Sequence, residues 1–280
     1  MAETSNPSVK RCALVTGGNK GIGFEICRKL AANGLAVILT ARSELKGREA
    51  LEKLQTSGLS DVFFHQLDIK DSASIAALAK FVEINFRTLD ILYQVNDENA
   101  QLLKGIIEED YELAEDCLRT NYYGAKAVTA ELLPLLKLSD SARIVNMTGT
   151  FGELKWICNV KVKAELDDVE NLTEEKIDEI AEWFLRDFKE NKLKANGWPI
   201  TASAFKISKA AINAYTRLLA RNHPNISVNC VHPGYVQTDI TSGTGPLTPE
   251  EGARAPTMVA LLPNNGPSGI YFSEMQPSDF

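Results

Sequence analysis

Histidine and paired cysteine, which supply the ligands of most zinc sites, are scarce in this sequence. The 280 residues include three histidines and five cysteines. The cysteines stand singly, without a CxxC pair, and the histidines are far apart, so the sequence predicts no metal site. Scattered cysteines of this kind also indicate a reducing compartment, in which they pack as small apolar side chains.

An excess of positive charge and a long apolar run are missing as well. Lys and Arg number 30 against 37 Asp and Glu, a net charge of -7. Because nucleic-acid binders concentrate basic residues, we expect no nucleic-acid partner. The start, "MAETSNPSVKR", is polar and no run of 18 apolar residues follows, so we expect no membrane span. These absences predict a soluble, cytoplasmic protein that binds a small molecule.

Apolar runs that alternate with amphipathic segments are the main pattern that is present. Seven such runs predict strands: "RCALVTGG", "LAVILTAR", "DVFFHQLD", "LDILYQV", "ARIVNMTG", "ISVNCVHPG" and "SGIYF". Nearly continuous apolar strands separated by helices are typical of a parallel sheet covered on both faces. The sequence therefore predicts one domain over residues 1–280, a doubly wound α/β Rossmann fold of about seven strands. Its ligand is expected at the carboxyl ends of the strands.

The first strand is followed by "TGGNKGIG", residues 16–23. Gly17, Gly21 and Gly23 leave room for a tight turn, for a pyrophosphate close to the backbone, and for packing of helix on strand. The position after a strand and before a helix indicates a dinucleotide-binding loop. Where an acidic residue would bind the ribose of NAD, the second strand ends in Arg42. Arg42 and Lys20 both suit a 2′-phosphate, so the sequence predicts NADPH as cofactor.

Several motifs together resemble one enzyme family. They are "TGGNKGIG", "HQLDIKD", "NYYG", "RIVN", "SKAAINAYTR" and "HPGYVQTDI". In this order they resemble the short-chain dehydrogenase/reductase family, and more narrowly its plant carbonyl-reductase-like branch of menthone, neomenthol, isopiperitenone and salutaridine reductases or dehydrogenases. The resemblance covers nearly the whole chain and implies an NADPH-dependent reductase.

The resemblance also implies roles for particular residues. The adenosine and phosphate parts of the cofactor would be bound by Gly17, Asn19, Lys20, Gly21, Ile22, Gly23, Arg42, Asp68 and Ile69. The nicotinamide end would be flanked by Pro233, Gly234, Tyr235, Val236 and Thr238. Lys209 would hold the nicotinamide ribose, and Asn121 would support that lysine through water.

Three departures from the family pattern affect the chemistry. The tyrosine that donates the proton is replaced by Phe205, four residues before Lys209. The serine that orients the substrate oxygen is replaced by Gly149, which lies between Thr148 and Thr150. The usual "VNNAG" after the fourth strand reads "YQVNDENA", residues 93–100. The sequence thus retains the cofactor-binding residues and alters the residues that handle the carbonyl group.

These departures favour reduction of a C=C bond over reduction of a ketone. A positioned general acid contributes about 10² to 10⁴ in rate, which Phe205 cannot supply. Hydride addition to the β-carbon of an enone depends less on that acid, because the charge spreads into an enolate. Within the resembled branch, isopiperitenone reductase reduces a C=C bond and also lacks the tyrosine. We expect a small, apolar, terpenoid-like enone or ketone as substrate. A non-redox isomerase or cyclase and a catalytically silent NADPH-binding protein remain open.

A long insertion separates the two altered positions. Between Gly149 and Phe205 lie 55 residues, and residues 153–199 are predicted to form a helical insertion within the domain. Thr173 is the expected N-cap of a helix with one apolar stripe, Ile177, Ile180, Phe184 and Phe188. By resemblance the insertion covers the surface that shorter members use to oligomerise, which predicts a monomer. The insertion begins shortly after Thr148 and Thr150 and contains Trp156, and these three residues together with Phe205 are the expected substrate contacts.

Overall fold

A computed structural model describes residues 10–95 and 109–280. One sheet of eight strands has the order β3-β2-β1-β4-β5-β6-β7-β8. Neighbouring strands are parallel except for the pair β7 and β8. The strands are β1 Cys12–Val15, β2 Ala36–Ala41, β3 Val62–Gln66, β4 Ile91–Gln94, β5 Arg143–Met147, β6 Ser227–His232, β7 Tyr271–Ser273 and β8 Gln276–Ser278.

The predicted doubly wound fold and all seven predicted strands are confirmed. The eighth strand was not predicted, because its three residues are exposed and polar or proline and so show no apolar pattern. It pairs antiparallel at the edge of the sheet. Proline and short length are common at such edges, where they discourage pairing with another chain.

Helices cover both faces of the sheet in the described residues. They are α1 Gly21–Ala32, α2 Glu44–Thr56, α3 Ser72–Phe86, α4 Tyr111–Leu118, α5 Ala125–Leu136, α6 Val160–Asp167, α7 Glu174–Lys189, α8 Ser203–Asn222, α9 Pro249–Gly252 and α10 Arg254–Ala260. A π-helical turn, Arg119–Gly124, joins α4 to α5. Strand residues alternate between two buried clusters, with Leu14 in one and Val15 in the other, as the pleat requires. The core therefore forms two layers, one on each face.

The insertion folds as predicted over its main helix. The side chain of Thr173 accepts a hydrogen bond from the backbone N–H of Lys176 and caps α7. Ile177, Ile180 and Phe184 are buried on one side of this helix. Their burial explains why a segment of this length forms ordered helices rather than an open loop.

Polar contacts fasten the insertion to the core on two sides. Asp178 of α7 accepts hydrogen bonds from the Tyr122 hydroxyl at 2.8 Å and from the Lys126 ammonium at 2.6 Å. On α8, the Arg221 guanidinium donates to the backbone carbonyls of Glu170 at 2.7 Å and Leu172 at 2.9 Å. The insertion thus packs directly on the helix that carries Phe205 and Lys209.

Candidate active site

A cleft of about 740 Å³ lies where β1, β4, β5 and β6 end at the carboxyl edge of the sheet. The segments that follow these strands provide most of its walls, as expected for a doubly wound fold. Its lining includes Gly17, Gly21, Ile22, Gly23, Thr148, Gly149, Thr150, Phe205, Pro233, Gly234, Tyr235, Val236 and Thr238. The structure therefore brings most of the predicted site residues to one place.

The glycine-rich turn has the geometry that a pyrophosphate needs. Gly17 and Gly21 have φ angles of 60° and 54°, which favour glycine. A Cβ on Gly23 would lie 2.2 Å from the carbonyl oxygen of Gly17, so only glycine fits there. Helix α1 starts beside this turn without a side-chain cap on its N-terminal N–H groups. Such a helix start binds anions, and the residues present fit a dinucleotide.

A second, smaller pocket adjoins the cleft on the far side of the glycine turn. Its lining includes Gly17, Arg42, Asp68 and Ile69, which the sequence assigned to the adenosine end. Lys70 lies there too and donates a hydrogen bond to Asp116 at 2.7 Å. Four of the residues predicted to bind the adenosine and phosphate parts thus lie together, beside a basic residue that sequence reasoning missed. Asn19 lies in the glycine turn and is half-buried.

Lys20 lies on the cleft side of the glycine turn rather than among the lining residues of the Arg42 pocket. Its ammonium forms an ion pair with Asp239, from the segment after β6. Both side chains are about half exposed, so this pair is weak in free energy. Binding of Lys20 to a 2′-phosphate therefore requires its release from Asp239, and that role stays a prediction.

Lys209 lies on α8, and Asn121 lies in the π-helical turn that packs against α8. The Lys209 side chain is 1% exposed, and its Nζ lies 3.4 Å from the carbonyl oxygen of Met147. Asn121 lies in the π-helical turn and donates a hydrogen bond at 3.1 Å to the hydroxyl of Ser208. Its buried Oδ1 has no hydrogen-bond partner among the described residues. An unpaired oxygen in a buried polar site suits a bridging water, as the resemblance implies.

Phe205 presents a ring to the cleft at the first turn of α8. The ring centroid is 5.3 Å from the Lys209 ammonium, which is within the range of a cation–π contact. Gly149 faces the same cleft with an extended φ of -160°. A Cβ at Gly149 would meet nothing within 4 Å. The backbone thus keeps space for a serine side chain, while the ring of Phe205 carries no hydroxyl beside Lys209.

An aromatic wall stands next to Phe205 and was only partly predicted. Phe151 lines the cleft, and its ring packs edge-to-face on that of Phe205, with centroids 6.1 Å apart. Trp156, a predicted substrate contact, is not among the cleft-lining residues of the described structure; it packs on Phe151 at 5.9 Å. Its indole N–H donates to the carbonyl oxygen of Thr150 at 2.9 Å. Trp156 thus supports Phe151. Sequence reasoning missed Phe151 as a cleft residue, although its position shortly after the fifth strand could have indicated it.

His232 precedes the nicotinamide-side segment and is the histidine in the cleft lining. Burial lowers the pKa of His232, and nearby Lys209 acts in the same direction, whereas Glu274 and Glu153 oppose the shift. The imidazole is therefore neutral at pH 7. A neutral imidazole is a weak acid, so His232 does not replace the missing phenol.

The other tyrosines near the site do not replace the phenol either. Tyr122 and Tyr215 are fully buried and pack on each other, and burial raises the pKa of both phenols. The Tyr235 hydroxyl lies at the cleft but is hydrogen-bonded to Thr244. None of these tyrosines in the described residues thus places a phenol at the position of Phe205, where the resemblance implies the proton donor.

A glycine-rich turn that leads into a helix start at the carboxyl edge of a doubly wound sheet is the dinucleotide-binding arrangement of many nicotinamide-dependent oxidoreductases. The chain is of this class. Known proteins narrow the class further. The short chain dehydrogenase family matches residues 11–183. The solved structure of salutaridine reductase from Papaver somniferum is 46% identical, with a TM-score of 0.87, covering 95% of this chain and 100% of that one.

Two further relatives span almost the same length. Short-chain dehydrogenase/reductase 1 of Saponaria officinalis is 47% identical over all of both chains. The (-)-isopiperitenone reductase of Mentha piperita is 44% identical over 94% of this chain and 96% of its own. This chain therefore belongs to the short-chain dehydrogenase/reductase family, as predicted, and is an oxidoreductase of the carbonyl-reductase-like kind.

Residues 10–95 and 109–280 contain neither a membrane-spanning helix nor a cluster of metal ligands. No helix there is long and apolar enough to cross a membrane. No group of three or more His, Cys, Asp or Glu side chains in that part of the chain is arranged to hold a metal ion. The five cysteines all lie in the described residues, where none forms a disulfide and four are buried. The rewritten loop at residues 93–100 lies partly outside the described residues.

Proposed function

We propose that this protein is an NADPH-dependent reductase that reduces the C=C bond of a small apolar enone, of a terpenoid-like kind. The observation that carries the proposal is the pairing of Phe205 with Lys209. A benzene ring lies where the resemblance places the proton-donating phenol, while the buried lysine behind it is kept. The relatives named for salutaridine and isopiperitenone support a substrate of this apolar class.

The reaction needs two new C–H bonds in place of one π bond. When bound, the cofactor supplies the hydride, which joins the β-carbon of the enone. The substrate oxygen then gains negative charge, and solvent supplies the proton to the α-carbon. Loss of a general acid costs a ketone reduction about 3 to 5.5 kcal/mol of barrier, whereas the delocalised charge of an enolate needs no immediate protonation at oxygen.

The residues of the chain provide binding, orientation and charge. Phe151 and Phe205 form an apolar corner that suits a flat conjugated molecule. Lys209 supplies a positive charge in a buried site, where electrostatic interactions are stronger than in water. The proposed preference for an enone thus rests on two features of this corner. It has no hydroxyl beside Lys209, and it has apolar rings and a buried lysine.

The preference for NADPH is part of the same proposal. Arg42 and Lys70 both line the adenosine-side pocket. Arg42 is exposed, so its guanidinium is accessible to a phosphate and can bind two of its oxygens. The absence of an acidic side chain at the end of β2 removes the usual partner of an unmodified ribose.

A paired substrate screen tests the proposal. NADPH oxidation is followed with cyclic enones and with the matching saturated ketones, and all products are identified. We expect the protein to reduce at least one enone to its saturated ketone, and to reduce the saturated ketones to alcohols far more slowly. Conversion of a substrate without NADPH oxidation would indicate an isomerase or cyclase instead. NADPH binding without any conversion would favour a silent binding protein.

A further inference from the structure

We propose that Glu109 is a positioning residue: it caps the N-terminus of α8 from a distant part of the chain and so fixes Phe205 and Lys209. The start of α8 has an unusual feature. Its N-cap residue, Ala202, has a φ of 49°, in the left-handed region, and has no side chain able to cap the helix. Alanine is among the poorer N-cap residues, so the helix needs a partner from elsewhere.

The Glu109 carboxylate provides that partner with both of its oxygens. Oε2 accepts a hydrogen bond at 2.7 Å from the hydroxyl of Ser203, and Oε1 accepts one at 2.9 Å from the backbone N–H of Ala204. Ser203 and Ala204 are 0% and 2% exposed. Without Glu109 these donors would be left buried and unpaired, and the negative charge at the helix start would be lost.

The next residue performs the same task for the helix that leads to Asn121. Asp110 accepts a hydrogen bond from the backbone N–H of Leu113 at 2.8 Å and caps α4. Two consecutive carboxylates thus cap α8, which carries Lys209, and α4, which leads into the π-helical turn that holds Asn121. That turn is joined to α8 by the hydrogen bond from Asn121 to Ser208. This arrangement sets the relative position of the two helices at the site.

The placement of Phe205 and Lys209 follows from this cap. Phe205 comes directly after Ala204, whose N–H the carboxylate holds, and Lys209 follows one turn later. Fraying of the first turn would move the ring in the cleft wall and loosen the support of the lysine. Glu109 itself is not among the described residues that line the cleft. It therefore acts through the helix and not on a ligand.

Hydrogen exchange and NADPH titration of three variants test the proposal, and neither readout depends on the proposed substrate. The variants are Glu109→Ala, Glu109→Gln and the control Thr173→Ala. Thr173 caps α7 through the N–H of Lys176 at 3.3 Å and is not among the residues that line either pocket, so its removal deletes a cap without touching the site.

We expect Glu109→Ala to speed exchange of the Ala204 amide by about tenfold and to weaken NADPH binding about threefold to tenfold. Glu109→Gln keeps one acceptor oxygen and a neutral polar head, so it should fold and show a smaller change in the same direction. Thr173→Ala should alter neither quantity by more than about twofold. The proposal is wrong if Ala204 exchange and NADPH affinity in both Glu109 variants match those of the Thr173 control.

Discussion

The two halves of the cleft differ in how far their residues follow the family pattern. On the cofactor side, the glycine turn, Arg42 and Asp68 are retained, and the backbone leaves no room for a side chain at Gly23. On the substrate side, Phe205 and Gly149 stand where the resemblance implies a phenol and a serine, and the ring of Phe151 packs beside Phe205. We therefore expect cofactor binding and proton donation to respond to different substitutions.

The largest effect is expected on the cofactor side. Gly23→Ala would place a Cβ against the Gly17 carbonyl oxygen and force the turn apart, so we expect NADPH affinity to fall about a hundredfold or more. Calorimetric titration measures it. Gly34→Ala is the control, since an added Cβ there meets nothing within 4 Å, and only the positive φ of 84° at Gly34 disfavours alanine. That variant should lose some stability and keep its NADPH affinity.

The second prediction restores the substrate side. Phe205→Tyr together with Gly149→Ser should raise ketone reduction at least about tenfold, because the phenol again lies beside Lys209 and a serine fits the open space at 149. Phe205→Tyr alone should do less. Single-turnover assays with NADPH and cyclic ketones follow hydride transfer directly. No gain with the cofactor still bound would show that more than the proton donor has changed.

The third prediction concerns the choice of cofactor. NADPH should bind at least about tenfold more tightly than NADH, a preference of about 1.4 kcal/mol. Arg42→Ala should remove most of that preference and leave NADH affinity unchanged, since NADH lacks the 2′-phosphate that Arg42 is expected to bind. Equal affinities in the unaltered protein would overturn the role of Arg42.

The fourth prediction uses the titration of His232. Burial lowers the pKa of His232 in the folded protein, whereas in the unfolded chain it is about 6.5. Below that pH the unfolded chain takes up a proton that the folded protein does not, so the free energy of unfolding falls as pH falls from about 7. His232→Gln should reduce this slope in urea titrations between pH 7 and 5, and above pH 7.5 the difference between the two proteins should be constant.

The smallest change is expected in assembly. The insertion is held to the core by Asp178, Tyr122 and Lys126, and by resemblance it covers the surface that shorter family members use to oligomerise. Light scattering should therefore give a monomer near 30.8 kDa. A tetramer would show that the insertion leaves that surface open.

Local sequence patterns predicted the features that are themselves local. The seven strands follow from apolar runs, the glycine turn from its spacing, and α7 from its N-cap Thr173 and one apolar stripe. The role of Trp156 was harder, since its ring supports Phe151 behind the cleft wall. Adjacency to the altered serine position alone did not distinguish a wall residue from a supporting one.

Contacts between distant residues left no such signal. Lys20 and Asp239 are 219 residues apart in the chain, and Glu109 and Ser203 are 94 apart. An exposed lysine or glutamate in the sequence looks the same whether or not it has a partner, because its partner is set by the tertiary fold. The ion pair of Lys20 with Asp239 and the capping of α8 by Glu109 could therefore be identified only from the structure.

The most direct test of the altered substrate side follows the hydride itself. A cyclic enone is incubated with the protein and NADPH that carries deuterium at the transferred position, and the product is analysed by NMR. The account predicts deuterium on the β-carbon of a saturated ketone, since Phe205 cannot protonate an alkoxide. Deuterium on the carbonyl carbon of an allylic alcohol would contradict it, because the site would then perform ordinary ketone reduction without the phenol.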